Sequence, residues 1–117
     1  MISGIHSSLS ALHAFARKQE SIADNTANVA TDGFKKTRVT MENQANGAVA
    51  PRVERITAPG PLVARQGEEG EELVEMSNVE ISEEIPQAML NRRSYQANLA
   101  TVRISDEMLG SLLDVVG

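Results

Sequence analysis

The sequence contains no cysteine and no tryptophan, and only one tyrosine and two phenylalanines among its 117 residues. Without cysteine there is no disulfide, no thiolate metal site and no thiol nucleophile. The scarcity of aromatics removes the bulky groups that dominate a compact core. Long apolar runs are missing too, and nothing approaches the roughly 18 consecutive apolar residues of a membrane-spanning helix. The N-terminus lacks a charged segment followed by an unbroken apolar stretch, so a cleaved secretory signal is not expected. Basic charge is not in excess either. With a formal net charge of −5, the chain lacks the basic character of a general nucleic-acid binder.

Catalytic patterns are equally scarce. There is no P-loop and no GxGxxG. His6 and His13 lie seven positions apart, two helical turns or about 10 Å, whereas zinc ligands on one helix need a spacing of three or four. Ser7, Ser8 and Ser10 have no His/Asp arrangement to activate them. Glu83-Glu84 and Asp106-Glu107 are adjacent pairs, which diverge around a helix and suit solvent or the helix dipole. The run Gly67-Glu68-Glu69-Gly70-Glu71-Glu72 gathers four carboxylates, but their spacing is not that of an EF-hand loop, and a solvated loop is expected there. No enzymatic activity, metal or cofactor is expected.

What the chain does have is two patterned ends. Near the N-terminus an apolar stripe runs through Ile2, Ile5, Leu9, Leu12, Ala16, Gln19, Ala23 and Thr26. Near the C-terminus a longer one runs through Ile81, Ile85, Ala88, Arg92, Tyr95, Leu99, Val102, Asp106, Leu109, Leu113 and Val116. Both alternate spacings of three and four, the rhythm of helices that pack along one another as a coiled coil. Phe15 and Ile22 widen the first stripe. Arg92 and Asp106 interrupt the second, either reaching out from the rim or fixing register. A lone two-helix hairpin with so few large apolar groups has a thin core, and docking on other subunits would remedy that.

The first helix is expected from about Ser3 to Asn28, ended by Asn28-Val29-Ala30-Thr31-Asp32-Gly33, with Phe34 pinning the turn. The last helix has two candidate caps, Asn78 and Ser82, and runs to Val116. Pro86 favours the later start or a kink, because it cannot donate a backbone hydrogen bond. From Ser82 this helix spans about 52 Å, the length of a coiled coil or filament wall. The middle segment, residues 37–77, is expected to be loop-rich. Asn46-Gly47 is a hairpin-type turn signal, and Pro51, Pro59, Gly60 and Pro61 exclude helix. Residues 52–57 and 61–64 read as short edge strands around the Ala58–Pro61 turn. The fold class is therefore mainly α, in three parts: residues 1–36, 37–77 and 78–117. Residues 1–36 carry four basic and three acidic groups, whereas 37–77 carry four and seven, and 78–117 three and six. The resulting asymmetry can assist head-to-tail contacts, subject to screening.

Two sets of residues carry a resemblance. Asn25, Asn28, Thr31, Gly33, Phe34 and Lys35 fill the N-terminal signature of bacterial flagellar rod and hook proteins, an Asn-rich helix end followed by T-x-G-[FY]-[KR]. Ser77-Asn78-Val79-Glu80, Arg93-Ser94-Tyr95-Gln96-Ala97-Asn98 and Asp106–Gly110 with Leu112-Leu113-Asp114 resemble the C-terminal signature of the same axial proteins. The last piece looks most like the short proximal-rod subtype. The resemblance implies a structural subunit of the flagellar basal-body rod, exported through the flagellar type III pathway without a cleaved signal. Its partners would be itself, other rod subunits and the export apparatus, with no nucleic acid and no membrane insertion. Leu9, Leu12, Ile22, Tyr95, Leu99, Val102, Leu109 and Leu113 would then form the assembly interface, and Asn25, Asn28, Thr31, Gly33, Phe34 and Lys35 the turn. Terminal helices that stay partly disordered until they dock would suit passage through a narrow channel. The competing expectation is a soluble coiled-coil adaptor or export chaperone, which would form a small oligomer of fixed size.

Overall fold

The computed structural model describes residues 2–117. Helix α1 runs Ile2–Ala27 and helix α2 runs Ile81–Val116. Between them lie four strands, β1 (Thr37–Asn43), β2 (Val49–Arg55), β3 (Leu62–Gly67) and β4 (Gly70–Glu75). The strands form two separate antiparallel hairpins, β1–β2 and β3–β4. The expected helices are present within a residue or two of their anticipated ends.

The middle segment departs from expectation. Residues 52–57 and 61–64 do not pair with each other. Val49–Arg55 instead pairs with Thr37–Asn43 around the Asn46-Gly47 turn, with Val39 opposite Val53. Gly47 sits at φ 77°, and its N–H closes the turn onto the Gln44 carbonyl at 2.9 Å. The expected solvated loop 67–72 is largely strand. Gly67 faces Gly70 across a two-residue Glu68-Glu69 connection, and Arg65 faces Glu72. Its carboxylates flank a hairpin turn whose geometry rests on Gly70 at φ 130°, a conformation nearly closed to other residues.

The two helices lie antiparallel. Asn25, near the end of α1, meets Glu84 near the start of α2, while Phe15 and Gln19 meet Asn91 further along. The β1–β2 hairpin lies along another side of α1. Ser21 Oγ bonds to Thr37 at the start of β1, and Ser7 Oγ donates to the Gly47 carbonyl at its turn. The Val49 amide donates to Ser10 Oγ. Helix α1 is thus sandwiched, and its buried positions, Ser8, Ala11, Ala14 and Ser21, are small enough to allow close approach on both sides. Ile22, Val39 and Val79 complete a modest core. The whole is an elongated body of 81 × 25 × 19 Å.

Half of the stripe read on α2 turns away from α1. Ala88, Val102 and Leu109 are half-buried, but Ile85 and Leu99 are 53% and 50% exposed, and Arg92 and Asp106 are exposed. The positions less exposed in their place are Glu84, Asn91, Asn98 and Ser105. These polar residues share the seven-residue spacing, one helical position before the expected seam. Neither candidate cap of α2 acts as one. Glu80 occupies the N-cap position without a side-chain hydrogen bond. Asn78 is engaged elsewhere, and the first amides, of Glu83 and Glu84, return to the Glu80 carbonyl. Pro86 is accommodated inside the helix.

Candidate functional site

Two features stand out: a polar junction where all the elements meet, and an apolar helix face left open.

The junction is built around two asparagines that act as substitute backbone. Asn25, only 2% exposed, closes a two-way clamp on Thr37. Its Nδ2 donates to the Thr37 carbonyl at 2.8 Å, and its Oδ1 accepts the Thr37 amide at 2.9 Å. A side-chain amide carries one donor group and one acceptor in the same plane as a peptide, so it can pair with a strand end as another strand would. Nδ2 also reaches Glu84 Oε1 at 3.3 Å, so one residue ties α1, β1 and α2 together.

Asn78 repeats the device where the hairpins converge. Its Oδ1 accepts the Lys36 amide at 2.7 Å, and its Nδ2 donates to the Ile56 and Ala58 carbonyls at 2.9 Å each. Both of its amide hydrogens are used, and its oxygen accepts one bond. Buried Ser77 accepts the Val79 amide and shapes the approach to α2.

The rest of the turn signature fills supporting roles. Asn28 Nδ2 donates back to the Asp24 carbonyl at the end of α1, while its Oδ1 accepts from Thr31 Oγ1 at 3.1 Å. The Phe34 amide closes the turn on the Thr31 carbonyl. Gly33, at φ 68°, presents its amide to the Glu75 carbonyl at 2.8 Å. Phe34 is half-buried, and its carbonyl accepts the Asn78 amide. Lys35 Nζ reaches the Ala58 carbonyl and the Glu75 carboxylate. Lys36 Nζ pairs with Glu83 at 2.7 Å.

The electrostatics follow from these pairs. The Lys35 ammonium, and then the Gly60 amide, hold the Glu75 carboxyl below its ordinary value. Lys36 does the same for Glu83. Gly60 is also where two chain segments cross. A Cβ there would lie 2.1 Å from the Met76 carbonyl oxygen.

The open face lies on α2 and on the groove it shares with α1. Phe15, Ala16, Gln19 and Ala23 of α1 face Ala88, Met89, Arg92, Tyr95, Gln96 and Leu99 of α2 across a groove of about 950 Å³. Asn91 lies at its floor. Its Nδ2 donates to the Phe15 carbonyl and Gln19 Oε1, but its buried Oδ1 has no partner among the described residues. Beyond Leu109, which is half-buried, the apolar residues of α2 are open to solvent: Leu112, Leu113, Val115 and Val116 are all more than half exposed, as is Met108.

The structure brings only some of the expected interface residues together. Tyr95 and Leu99 line the groove, Leu12, Val102 and Leu109 are half-buried, and Leu9 and Leu113 are exposed. Ile22 belongs to the interior of its own chain, beside Val39 and Glu84 at a second, polar cleft. Of the expected turn residues, Asn28, Thr31, Gly33 and Phe34 lie in the turn after α1, whereas Asn25 lies within α1 and Lys35 follows the turn and reaches Glu75. Sequence reasoning missed the partners that make it a junction, namely Lys36, Thr37, Glu75 and Glu84, together with Asn91. Asn78 was read as a helix cap rather than a clamp. The signal available was its neighbour pattern, Ser-Asn-Val directly before an acidic helix start.

This junction joins two segments that match known families. Residues 5–35 match the family described as flagella basal body rod protein. Residues 71–115 match the family described as flagellar basal body rod FlgEFG protein C-terminal. The chain belongs to the flagellar basal-body rod family. It is also similar to the flagellar hook-basal body complex protein FlhP of Bacillus subtilis (strain 168), 45% identical over 42 residues, a match covering 36% of this chain and 16% of that protein. No helix among the described residues is long and apolar enough to cross a membrane.

Proposed function

We propose that this chain is a subunit of the flagellar rod, built into it by coiled-coil packing of α1 and α2 against copies of itself and other rod subunits. The observation that carries this reading is the outward half of the α2 stripe. Ile85, Tyr95 and Leu99, followed by Leu113 and Val116, keep the spacing of the stripe and are each at least 38% exposed. Exposed apolar area of this extent on a small monomer marks an interaction surface. Leu9 on α1 offers a further contact. In this role the asparagine junction holds the angle between the helix pair and the two hairpins. The hairpins project to make outer contacts, and the helices carry torque. The chain reaches the periplasmic rod through the flagellar export apparatus.

The test is substitution of Leu99, which is half exposed and so tolerates a charge without loss of fold. Leu99→Asp is expected to leave export intact and to abolish incorporation, measured by fractionating purified basal bodies and probing for the chain. Normal rods containing Leu99→Asp would remove the packing role. A fixed small oligomer at every concentration, with no chain in the basal body, would favour the adaptor instead.

A further inference from the structure

Two glycines of the chain follow an aspartate or its amide, in Asn46-Gly47 and Asp32-Gly33, and both glycines sit at positive φ. Such a pair can react with itself. A glycine nitrogen has no Cβ beside it to crowd an attack, and the side-chain carbonyl carbon of the residue before it lies within reach of a five-membered ring. None of the other asparagines, Asn25, Asn28, Asn43, Asn78, Asn91 and Asn98, is followed by glycine.

The Asn46-Gly47 turn combines a primed electrophile with a restrained nucleophile. Asn46 Oδ1 accepts the Ala48 amide at 3.1 Å, a bond that polarises the side-chain carbonyl and stabilises charge developing on its oxygen. The Gly47 amide is engaged by the Gln44 carbonyl at 2.9 Å, and the Gln44 amide by the Ala48 carbonyl at 2.8 Å. These two bonds fix the peptide plane whose nitrogen must turn towards Asn46 Cγ before it can attack. The next stretch of the hairpin is pinned to α1. Ser7 Oγ donates to the Gly47 carbonyl at 2.8 Å, and Ser10 Oγ accepts the Val49 amide at 3.0 Å. Residues from Gln44 to Gly47 are exposed, so water and base reach the turn. At Asp32-Gly33 the balance differs. Arg65 holds both carboxylate oxygens of Asp32, at 2.6 and 3.0 Å, and the Gly33 amide is engaged by the Glu75 carbonyl. A carboxylate paired in this way is a poor electrophile.

We propose that Asn46 is a self-modification site, where deamidation is restrained while the tip of the β1–β2 hairpin is seated on α1. When the tip lifts, base removes the Gly47 amide proton and the nitrogen bonds to Asn46 Cγ. The bond from Cγ to the side-chain nitrogen breaks, and ammonia leaves with a proton supplied by water. The cyclic imide then takes up water at either carbonyl, giving aspartate or isoaspartate, and no oxidant or reductant is consumed. Isoaspartate routes the backbone through the side-chain carboxyl and so lengthens it by one carbon. The connection between Gln44 and Ala48 then no longer closes on the same bonds, and the product keeps the tip off α1. Seating of the hairpin and chemistry at its tip are therefore coupled in one direction.

The full-length native chain, aged in buffer and in guanidinium at one pH and temperature, tests this. Product is counted by peptide mass spectrometry and by enzymatic methylation of isoaspartate. Asn46 is expected to be the first site modified, and at least about tenfold more slowly in the folded chain, where opening must come first. Ser7→Ala with Ser10→Ala removes the two hydroxyl pins, and circular dichroism checks that α1 persists. This pair is expected to speed the folded reaction about fivefold, as loss of net hydrogen bonding at the tip requires, and to leave the denatured rate unchanged. In the isolated isoaspartate form, hydrogen exchange at the Val49 amide should lose its protection. Equal rates in folded and denatured chain, a serine variant that reacts at the native rate, or an isoaspartate form with native protection at Val49 would each overturn the proposal. The first and last of these measurements need no substitution.

Discussion

At the scale of single residues, the decisive ones are amides rather than ionisable groups. Asn25→Asp is nearly isosteric, keeps the acceptor for the Thr37 amide, removes the donors to the Thr37 carbonyl and Glu84, and sets a second carboxylate beside a buried one. The expected cost is about 3 kcal/mol, read from urea unfolding, because buried hydrogen bonds are lost and two carboxylates are set side by side. An unchanged midpoint would mean the clamp is not stabilising. The ion pairs give a different signature. Glu75 titrates below its ordinary value in the folded chain, chiefly through Lys35. Such a group contributes stability that is present above the unfolded value of about 4.3 and is lost as pH falls through the folded value. Glu75→Gln should therefore be less stable than the native chain at pH 7, with the difference shrinking towards pH 3. A gap that persists in acid would point to packing rather than charge. Asparagines of this kind were legible as a motif in the sequence, but their role was not. The partner of Asn25 is a backbone twelve residues away, and no side-chain pattern reports it.

At the scale of elements, the helices were readable and the hairpins only half so. Ile81, Ala88, Val102 and Leu109 recur every seven or fourteen residues, and that periodicity located α2 and one edge of its contact with α1. The other edge was misassigned because apolar character identifies it only if the seam is apolar. Here Glu84, Asn91 and Asn98 face inward, each holding a side-chain hydrogen bond, and Leu99 stands half exposed. Strand β1 was missed for a related reason. Thr37, Val39 and Met41 alternate with Arg38, Thr40 and Glu42, a weak contrast in which only Val39 is fully buried. The glutamates of β3–β4 read as loop because both faces of that hairpin are largely solvated. What anchors it is its base, where the Met76 amide bonds to the Pro61 carbonyl, together with Arg65 further along β3, which pairs with Asp32 at 2.6 Å. Two glycines at this base should behave differently. Gly33→Ala meets open space and costs only the strain of a positive φ, about 1 kcal/mol. Gly60→Ala drives a methyl into the Met76 backbone and should cost about 3 kcal/mol. Equal thermal midpoints for the two would show that the crossing at Gly60 is looser than its geometry.

At the scale of the whole molecule, shape is the link between folding and assembly. A compact domain of this length has a radius of gyration of about 13 Å, whereas this chain has 20.8 Å. An elongated body keeps more of its surface in water, which a chain poor in aromatics offsets weakly from within. The same geometry explains why apolar residues sit outside. A helix pair only two members wide has one mutual contact, and the heptad positions that would face third and fourth helices remain bare. Stability and assembly should then rise together with concentration, because every copy that docks covers apolar surface that the free chain exposes. Small-angle X-ray scattering on a dilution series checks this directly. At the dilute end the maximum dimension should approach the 81 Å of the single body, growing as copies add end to end, while the thermal midpoint climbs. In Leu99→Asp both quantities should stay flat across the same series. If the native chain gains length without gaining thermal stability, the contact between copies does not cover the bare α2 face. The hairpins would then be the surfaces that join.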